Sequence, residues 1–268
     1  MSGGGPRTCN NSFPTTVSIP TMSQSRSISW DCNGGVVTSM TDENGQATTY
    51  AYNDPNFYRV TAVTDPLGNV TNYSYAKYTD TNPAQVESVL TFGSATQDVL
   101  TTLDGLGRTI LSQTREAPAS LTFDSIETSY DSLGRATKTT LPYAAEAGST
   151  NSGAKGTTTT YDALNRPLTV TDGGGGTISY SYTKNDVLVT VGGGETRQLE
   201  YDGLGRLTSV CELTSGTGSG TCGQTTSKQG YWTTYTYDVL GNLIGVTQNG
   251  KIAVTLRPDP LRMTPCRA

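Results

Sequence analysis

No histidine occurs among the 268 residues of the chain. Histidine is the one side chain whose unperturbed pKa falls in the physiological range. Its absence excludes Ser-His-Asp and Cys-His catalysis and any zinc site that uses imidazole. Carboxylate pairs, lysine bases and tyrosine chemistry pass that filter. Lysine and glutamate together supply only 14 residues. No window combines Ala, Leu, Glu and Lys with a 3.6-residue apolar period, so long helices are not expected. Hydrophobic residues make up 34%, which is low for one compact core at this length. No apolar run approaches the length of a transmembrane helix. The first six residues show no charged stretch leading into an apolar one, so no secretory signal is visible. A net charge of −5 and a pI near 4.8 argue against nucleic acid or an anionic membrane as partner.

What the chain does have is threonine (47 residues), glycine (31) and tyrosine (15). Thr and Tyr suit a half-buried pleated surface, and Gly suits the turns between strands. The small net charge and the regular spacing of the tyrosines distinguish the sequence from a disordered one. The expected fold class is all-β, in thin layers.

Aligning the chain on aspartate brings out an internal repeat. Asp65-Pro-Leu-Gly68, Asp104-Gly-Leu-Gly107, Asp131-Ser-Leu-Gly134, Asp202-Gly-Leu-Gly205 and Asp238-Val-Leu-Gly241 share one pattern. A shuffled chain of this composition would hold about a tenth of one such tetrapeptide, so five mark a repeat. Asp42-Glu-Asn-Gly45 lacks the Leu, and Asp162-Ala-Leu-Asn165 replaces the Gly. Asn is the residue other than Gly that best tolerates positive φ, so the fourth position is expected to need left-handed geometry. Asp at the first position can accept hydrogen bonds from backbone N–H groups further on, and Gly at the fourth suits a type I turn. Such a turn followed by a left-handed residue makes a three-residue hairpin loop with a bulge.

Tyr-x-Tyr pairs precede turns at Tyr50/Tyr52, Tyr73/Tyr75, Tyr180/Tyr182 and Tyr235/Tyr237. Two-residue spacing puts each pair on one face of a strand. Residues 206–210 and 166–170 read as return strands, and Tyr and Leu rows are expected to pack strand against strand. A longer module with two turns recurs at 41–52, 63–75 and 170–182. Residues 143–156 and 215–230 read as inserted loops. The expected organisation is a weakly structured lead-in (1–30), a repeat array (31–250) and a degenerate, truncated unit (251–268).

The segments Tyr130-Asp-Ser-Leu-Gly-Arg135, Tyr161-Asp-Ala-Leu-Asn-Arg166, Tyr201-Asp-Gly-Leu-Gly-Arg206 and Tyr237-Asp-Val-Leu-Gly-Asn242 resemble those of the Rhs/YD-repeat family. That family includes bacterial polymorphic and wall-associated toxins, the C component of insecticidal toxin complexes, and teneurins. The resemblance implies tandem β-hairpins in a curved, spiralling sheet that forms part of a hollow shell. It also implies a secreted or cell-surface protein associated with toxin delivery or intercellular competition. Its partners would be the rest of the shell and a C-terminal toxin cargo. The Asp and Gly of each unit would be structural turn residues, with Arg108, Arg135, Arg166 and Arg206 just after the turn. The paired Asp-Pro-x-Gly motifs that close the repeats of toxin members are reduced here to Asp259-Pro260, and no toxin domain is expected in this chain. The alternative function is a glycan-binding or adhesion module at the cell surface.

Other candidate sites read as structure. The Asp-x-x-Gly turns lack the alternating ligands and terminal Glu of a calcium loop. Residues 173–176 and 192–194 are glycine-rich but match neither dinucleotide nor phosphate loops, so hairpin tips are expected. The cysteines, at 9, 32, 211, 222 and 266, show no C-x-x-C spacing. Cys211 and Cys222 flank a Ser/Gly/Thr loop and could close it as a disulfide in an oxidising compartment, free thiols being the other possibility. No nucleophile or base motif is present, so no cofactor, metal or enzymatic activity is expected.

Overall fold

The computed structural model describes residues 9, 12–19, 24–55, 57–76, 82–213, 230–248 and 251–255. Every regular element among them is a β-strand, and the strand pairings given below are antiparallel. Contacts divide the chain into two units, one of residues 1–129 and 139–154, the other of 130–138 and 155–268.

The first unit is a meander. Its strands are β1 (Thr16–Ile19), β2 (Gln24–Asp31), β3 (Val36–Thr41), β4 (Ala47–Ala51), β5 (Ala62–Thr64) and β6 (Val70–Ala76). It continues through β7 (Ala84–Phe92), β8 (Ala95–Leu103), β9 (Thr109–Arg115) and β10 (Thr122–Tyr130). Each strand from β1 to β9 pairs with the next. Strand β10 takes β9 on one side and β12 (Tyr143–Glu146) on the other. The short β11 (Ala136–Thr140) begins in the second unit. That unit continues with β13 (Gly156–Tyr161), β14 (Pro167–Thr171), β15 (Thr177–Thr183), β16 (Asp186–Val191) and β17 (Glu195–Tyr201). Strands β18 (Leu207–Leu213), β19 (Gly230–Tyr237), β20 (Leu243–Gln248) and β21 (Lys251–Thr255) follow, each paired with its chain neighbour.

The alternation of Thr with Tyr, Val or Ile is what makes these segments strands rather than helices. It also leaves the sheet thin. Among the described residues only Leu100, Leu111, Phe123, Ala154 and Cys211 are buried hydrophobics. The turn leucines do not pack strand against strand, as the sequence suggests. Leu67, Leu106, Leu133, Leu164, Leu204 and Leu240 are 67–85% exposed, because the third residue of a hairpin tip projects beyond the last cross-strand pair.

Burial is deepest in the first unit, where β12 pairs with β10 and residues 147–154 beyond it return to β9 as a strap. Gln113, fully buried on β9, ties this strap down. Its amide donates to Ser125 Oγ (2.9 Å) and to the Glu146 carbonyl (3.0 Å), and its Oε1 accepts the Gly148 N–H (2.6 Å). Glu127 accepts from the Tyr143 hydroxyl and from the Asn151 N–H. Burial of the ring, with the Glu127 hydrogen bond behind it, pushes the Tyr143 phenol up to about 12.

The beginning of the chain is more ordered than the expected lead-in. Strands β1 and β2 pair with each other, and β2 pairs with β3. Phe13 stacks on Trp30 at 4.8 Å, and the Trp30 indole donates to the Pro14 carbonyl. A Cys9–Cys32 disulfide, with Cα atoms 5.3 Å apart, holds the segment to the β2–β3 turn. The expected degenerate tail also starts as a strand, since β21 pairs with β20; residues 256–268 lie outside the described residues.

Replacing Gln113 with Leu should strand the Gly148 N–H and the Glu146 carbonyl beneath the strap. We expect a loss of about 2 kcal/mol in denaturant unfolding, together with faster proteolysis within 141–154. The Cys9–Cys32 bridge closes a loop of 23 residues in sequence separation. A Cys32→Ser variant should therefore lose up to about 3 kcal/mol, with hydrogen exchange rising first in β1 and β2.

Candidate functional site

The recurring chemistry of the molecule sits at its Asp-x-x-Gly turns. In all seven predicted turns the fourth residue donates its N–H to the carbonyl of the Asp at 3.0–3.2 Å. That fourth residue is left-handed in each, with φ between 64° at Asn165 and 85° at Gly241. Gly45, Gly68, Gly107, Gly134 and Gly205 lie between these values. The space where a Cβ would stand at Gly68, Gly107, Gly205 and Gly241 is open, so backbone conformation alone selects the residue. The ladder shifts register by one residue beside the turns that begin at Asp104, Asp162, Asp202 and Asp238. This is the bulge expected of a type I turn closed by a left-handed residue.

The carboxylate completes the device. One oxygen of each Asp accepts the backbone N–H groups of the residues two and four further on, at 2.8–2.9 Å. In six of the seven the other oxygen takes a side chain from the residue four further on. At Asp104, Asp131, Asp162 and Asp202 this is the Nε of Arg108, Arg135, Arg166 and Arg206, at 2.7 Å. At Asp65 and Asp238 an asparagine amide, Asn69 or Asn242, takes its place. The backbone N–H of the arginine is the chief reason that Asp104, Asp131, Asp162 and Asp202 ionise below the ordinary carboxylate range. At Asp65 and Asp238 the asparagine side chain leads.

The arginine also reaches the next hairpin. In the second unit the guanidinium of Arg135 lies over the Tyr161 ring at 4.8 Å, Arg166 over Tyr182 at 4.0 Å and Arg206 over Tyr237 at 5.1 Å. Each of these tyrosines donates its hydroxyl to the carbonyl of the residue after that arginine: Ala136, Pro167 and Leu207. Arg135 further donates to the Asp162 carbonyl and to Asn165 Oδ1. Turn, ion pair, ring and carbonyl thus form a clip that joins one hairpin to its neighbour. The motif spelling shows the Asp–Arg half of the clip, but the tyrosine that covers the arginine belongs to the following hairpin. Only pairing brings the two together.

Two further features escaped the sequence reading as site residues. Asp172 builds an eighth turn of the same kind, accepting the N–H groups of Gly174 and Gly176, with Gly175 at φ 95°. Its Thr-Asp-Gly spelling, alike in Thr41-Asp42 and Thr64-Asp65, was the available signal. The turns also segregate by the residue before the Asp. Because successive hairpins in a meander alternate ends, the Tyr-Asp turns of the second unit share one end and Thr171-Asp172 lies at the other. Of the proposed disulfide pair, Cys211 is buried and disulfide-bonded, and Cys222 lies outside the described residues.

No group of three or more His, Cys, Asp or Glu side chains is arranged to hold a metal among the described residues. The turn carboxylates have their lone pairs directed at backbone N–H groups and arginine, which suits a structural brace rather than proton transfer.

Lowered carboxylate pKa values make the clips acid-sensitive. Their stabilisation is fully present above the unfolded aspartate pKa, near 3.9, and is lost as pH falls through the lower folded values. Unfolding should therefore set in below about pH 4, and changing Asp131, Asp162 and Asp202 together to Asn should flatten this acid limb in denaturant titrations. Replacing Gly205 with Ala, at φ 76°, should cost about 1–2 kcal/mol.

Comparison with known proteins bears on the fold. Residues 72–187, under half of the chain, match a family described as Domain of unknown function (DUF6443). No curated protein matches by sequence. Among solved structures, TcdB2-TccC3-TEV aligns over 84% of this chain at 14% identity with a TM-score of 0.51. TcdB2-TccC3 without its hypervariable C-terminal region aligns over 84% at 13% identity with a TM-score of 0.52. In both, the chain corresponds to 18% of the matched chain, a little under a fifth of its length. The fold is all-β and similar to that of the aligned part of TcdB2-TccC3.

Proposed function

We propose that this chain is a wall segment of an Rhs-type encapsulating shell, part of a larger protein that carries toxin cargo at the cell surface or outside the cell. The observation that supports this most is the Asp–Arg–Tyr clip. A sheet with few buried hydrophobics must be held by something other than a core, and the clip supplies a brace that can repeat without limit along a wall. A solid domain would need sequence that buries both faces of the sheet. The likeness of fold to TcdB2-TccC3 supports the same reading.

Two further features agree with it. In the second unit, Leu133, Leu164, Leu204 and Leu240 stand exposed on Tyr-Asp turns that share one end of the strands. Apolar tips in a row are suited to contact with an adjoining part of a wall. The Cys9–Cys32 disulfide suits an oxidising compartment, and so a secreted or surface protein. In this reading the chain has no catalytic chemistry of its own, since its recurrent carboxylates are engaged in turns.

Electron microscopy of the whole gene product that contains this segment provides the test. We expect a hollow particle with residues 31–248 in its wall, and a particle without an enclosed cavity would overturn the proposal. Assays of the purified chain with esterase, phosphatase, glycosidase and nuclease substrates should show no turnover. Turnover abolished by changing a single carboxylate would refute the non-enzymatic reading.

A further inference from the structure

The first strand of the sheet is attached through a small, self-contained set of contacts. Among the described residues β1 pairs with β2 alone. It is four residues long, and residues 14–18 are exposed, Val17 at 52%. Little apolar burial therefore holds it. The Ile28 N–H donates to the Thr15 carbonyl, and the ladder continues from Thr16 opposite Ser27 to Ile19 opposite Gln24. Ahead of the strand, Phe13 stacks on Trp30 and approaches Gly35, where its ring lies 3.4 Å from the place a Cβ would take. The Trp30 indole bonds the Pro14 carbonyl, and Cys9 is joined to Cys32. Each of these contacts runs from residues 9–19 to residues 24–35.

A strand whose partners all lie on β2 and the turn after it can be supplied by another molecule of the same sequence, with every contact reproduced. Without β1 the edge of β2 is uncovered. In an antiparallel ladder alternate residues direct their backbone groups to the same neighbour, so Gln24, Arg26 and Ile28 lose their partners together. Such an edge is a template for a new strand. A second copy is the fitting occupant, because its Phe13 and Pro14 also renew the ring stack and the indole hydrogen bond at Trp30. What keeps β1 with its own chain is covalent. Cys9 lies before β1 and Cys32 directly after β2, so the closed bond confines the strand to the same molecule. Both cysteines are half-buried rather than buried, within reach of a small dithiol.

We propose that β1 is an exchangeable strand and that the Cys9–Cys32 disulfide is its lock, so that two copies of the chain swap β1 and form a dimer once the bond is reduced. The reductant is a dithiol. Its two thiols give up two electrons and two protons and close as a disulfide, while Cys9 and Cys32 each take up one electron and one proton. Reoxidation in the exchanged state joins Cys9 of one molecule to Cys32 of the other and makes the dimer covalent. The proposal is independent of the shell reading, since it concerns only β1, β2 and the turn after them.

The test mixes isotope-labelled and unlabelled copies of the full chain. Trypsin releases Cys9 in peptide 8–26 and Cys32 in peptide 27–59, so the masses of the linked peptides show whether both halves come from one molecule. Mixed without reductant, the chains should give links of one label only. A second sample is reduced, held at a concentration on the order of 1 mM, near that which a short linker gives its own strand, and then reoxidised. It should contain a dimer whose Cys9–Cys32 links combine the two labels at random. Val17→Pro removes the N–H opposite Arg26 and so the β1–β2 ladder. In this variant the dimer should be lost while the amide resonances of β3 to β9 stay in place. Links of one label only after reduction, a particle size unchanged by reduction, or mixed links that persist in Val17→Pro would each overturn the proposal.

Discussion

Eight hairpin turns among the described residues depend on one aspartate carboxylate that satisfies two backbone N–H groups with one oxygen, and in six of them the other oxygen takes a side chain. A tight turn leaves N–H groups that no strand can reach, and leaving them unpaired is costly. The aspartate answers that demand within five residues. Where arginine follows, the second oxygen fixes the guanidinium, and the fixed guanidinium offers a flat cationic surface to the next tyrosine. The tyrosine then donates to a carbonyl of the hairpin before it. Local turn chemistry becomes adhesion between hairpins through one rigid planar group. Lysine could not replace it, because an ammonium on a flexible stem cannot bond side-on and present a face at once.

This arrangement accounts for the low hydrophobic content. Most described residues are half-buried or exposed rather than buried, so the usual driving force of folding is weak. Polar bracing and cross-strand Thr and Tyr pairs carry more of the work. Where burial is deepest, beside the strap that follows β12, it is polar at its centre. Gln113 and Ser125 are fully buried there beside Leu111 and Phe123. A buried amide with both ends satisfied fixes one register of the strap over the sheet, which an apolar contact of the same size would not do.

Regular hairpins and one departure from them share the same chemistry. The compact clips differ little from one another. The β4–β5 hairpin keeps the ion pair, here Arg59 with Asp54, and the covered tyrosine, Tyr75, in a longer loop. Insertion into a braced unit is tolerated because the strands on either side remain paired, and loop length adds little to the entropy of closure.

The sequence by itself determined the strands and the turns, down to the left-handed residue and its exchange for Asn165. These depend on interactions within five residues, and each residue type has one dominant local preference there. It misplaced the turn leucines, because apolar character indicates what a side chain would gain by burial and not whether a neighbour is present to bury it. The tertiary structure alone decided the partners distant in sequence. Cys9 meets Cys32 because the segment before β1 folds back on Trp30, Gln113 meets Gly148 because the strap returns across β9, and Arg59 meets Tyr75 because β5 and β6 pair in one register. Such contacts follow from how strands align, and alignment is a property of the assembled sheet that no single segment encodes.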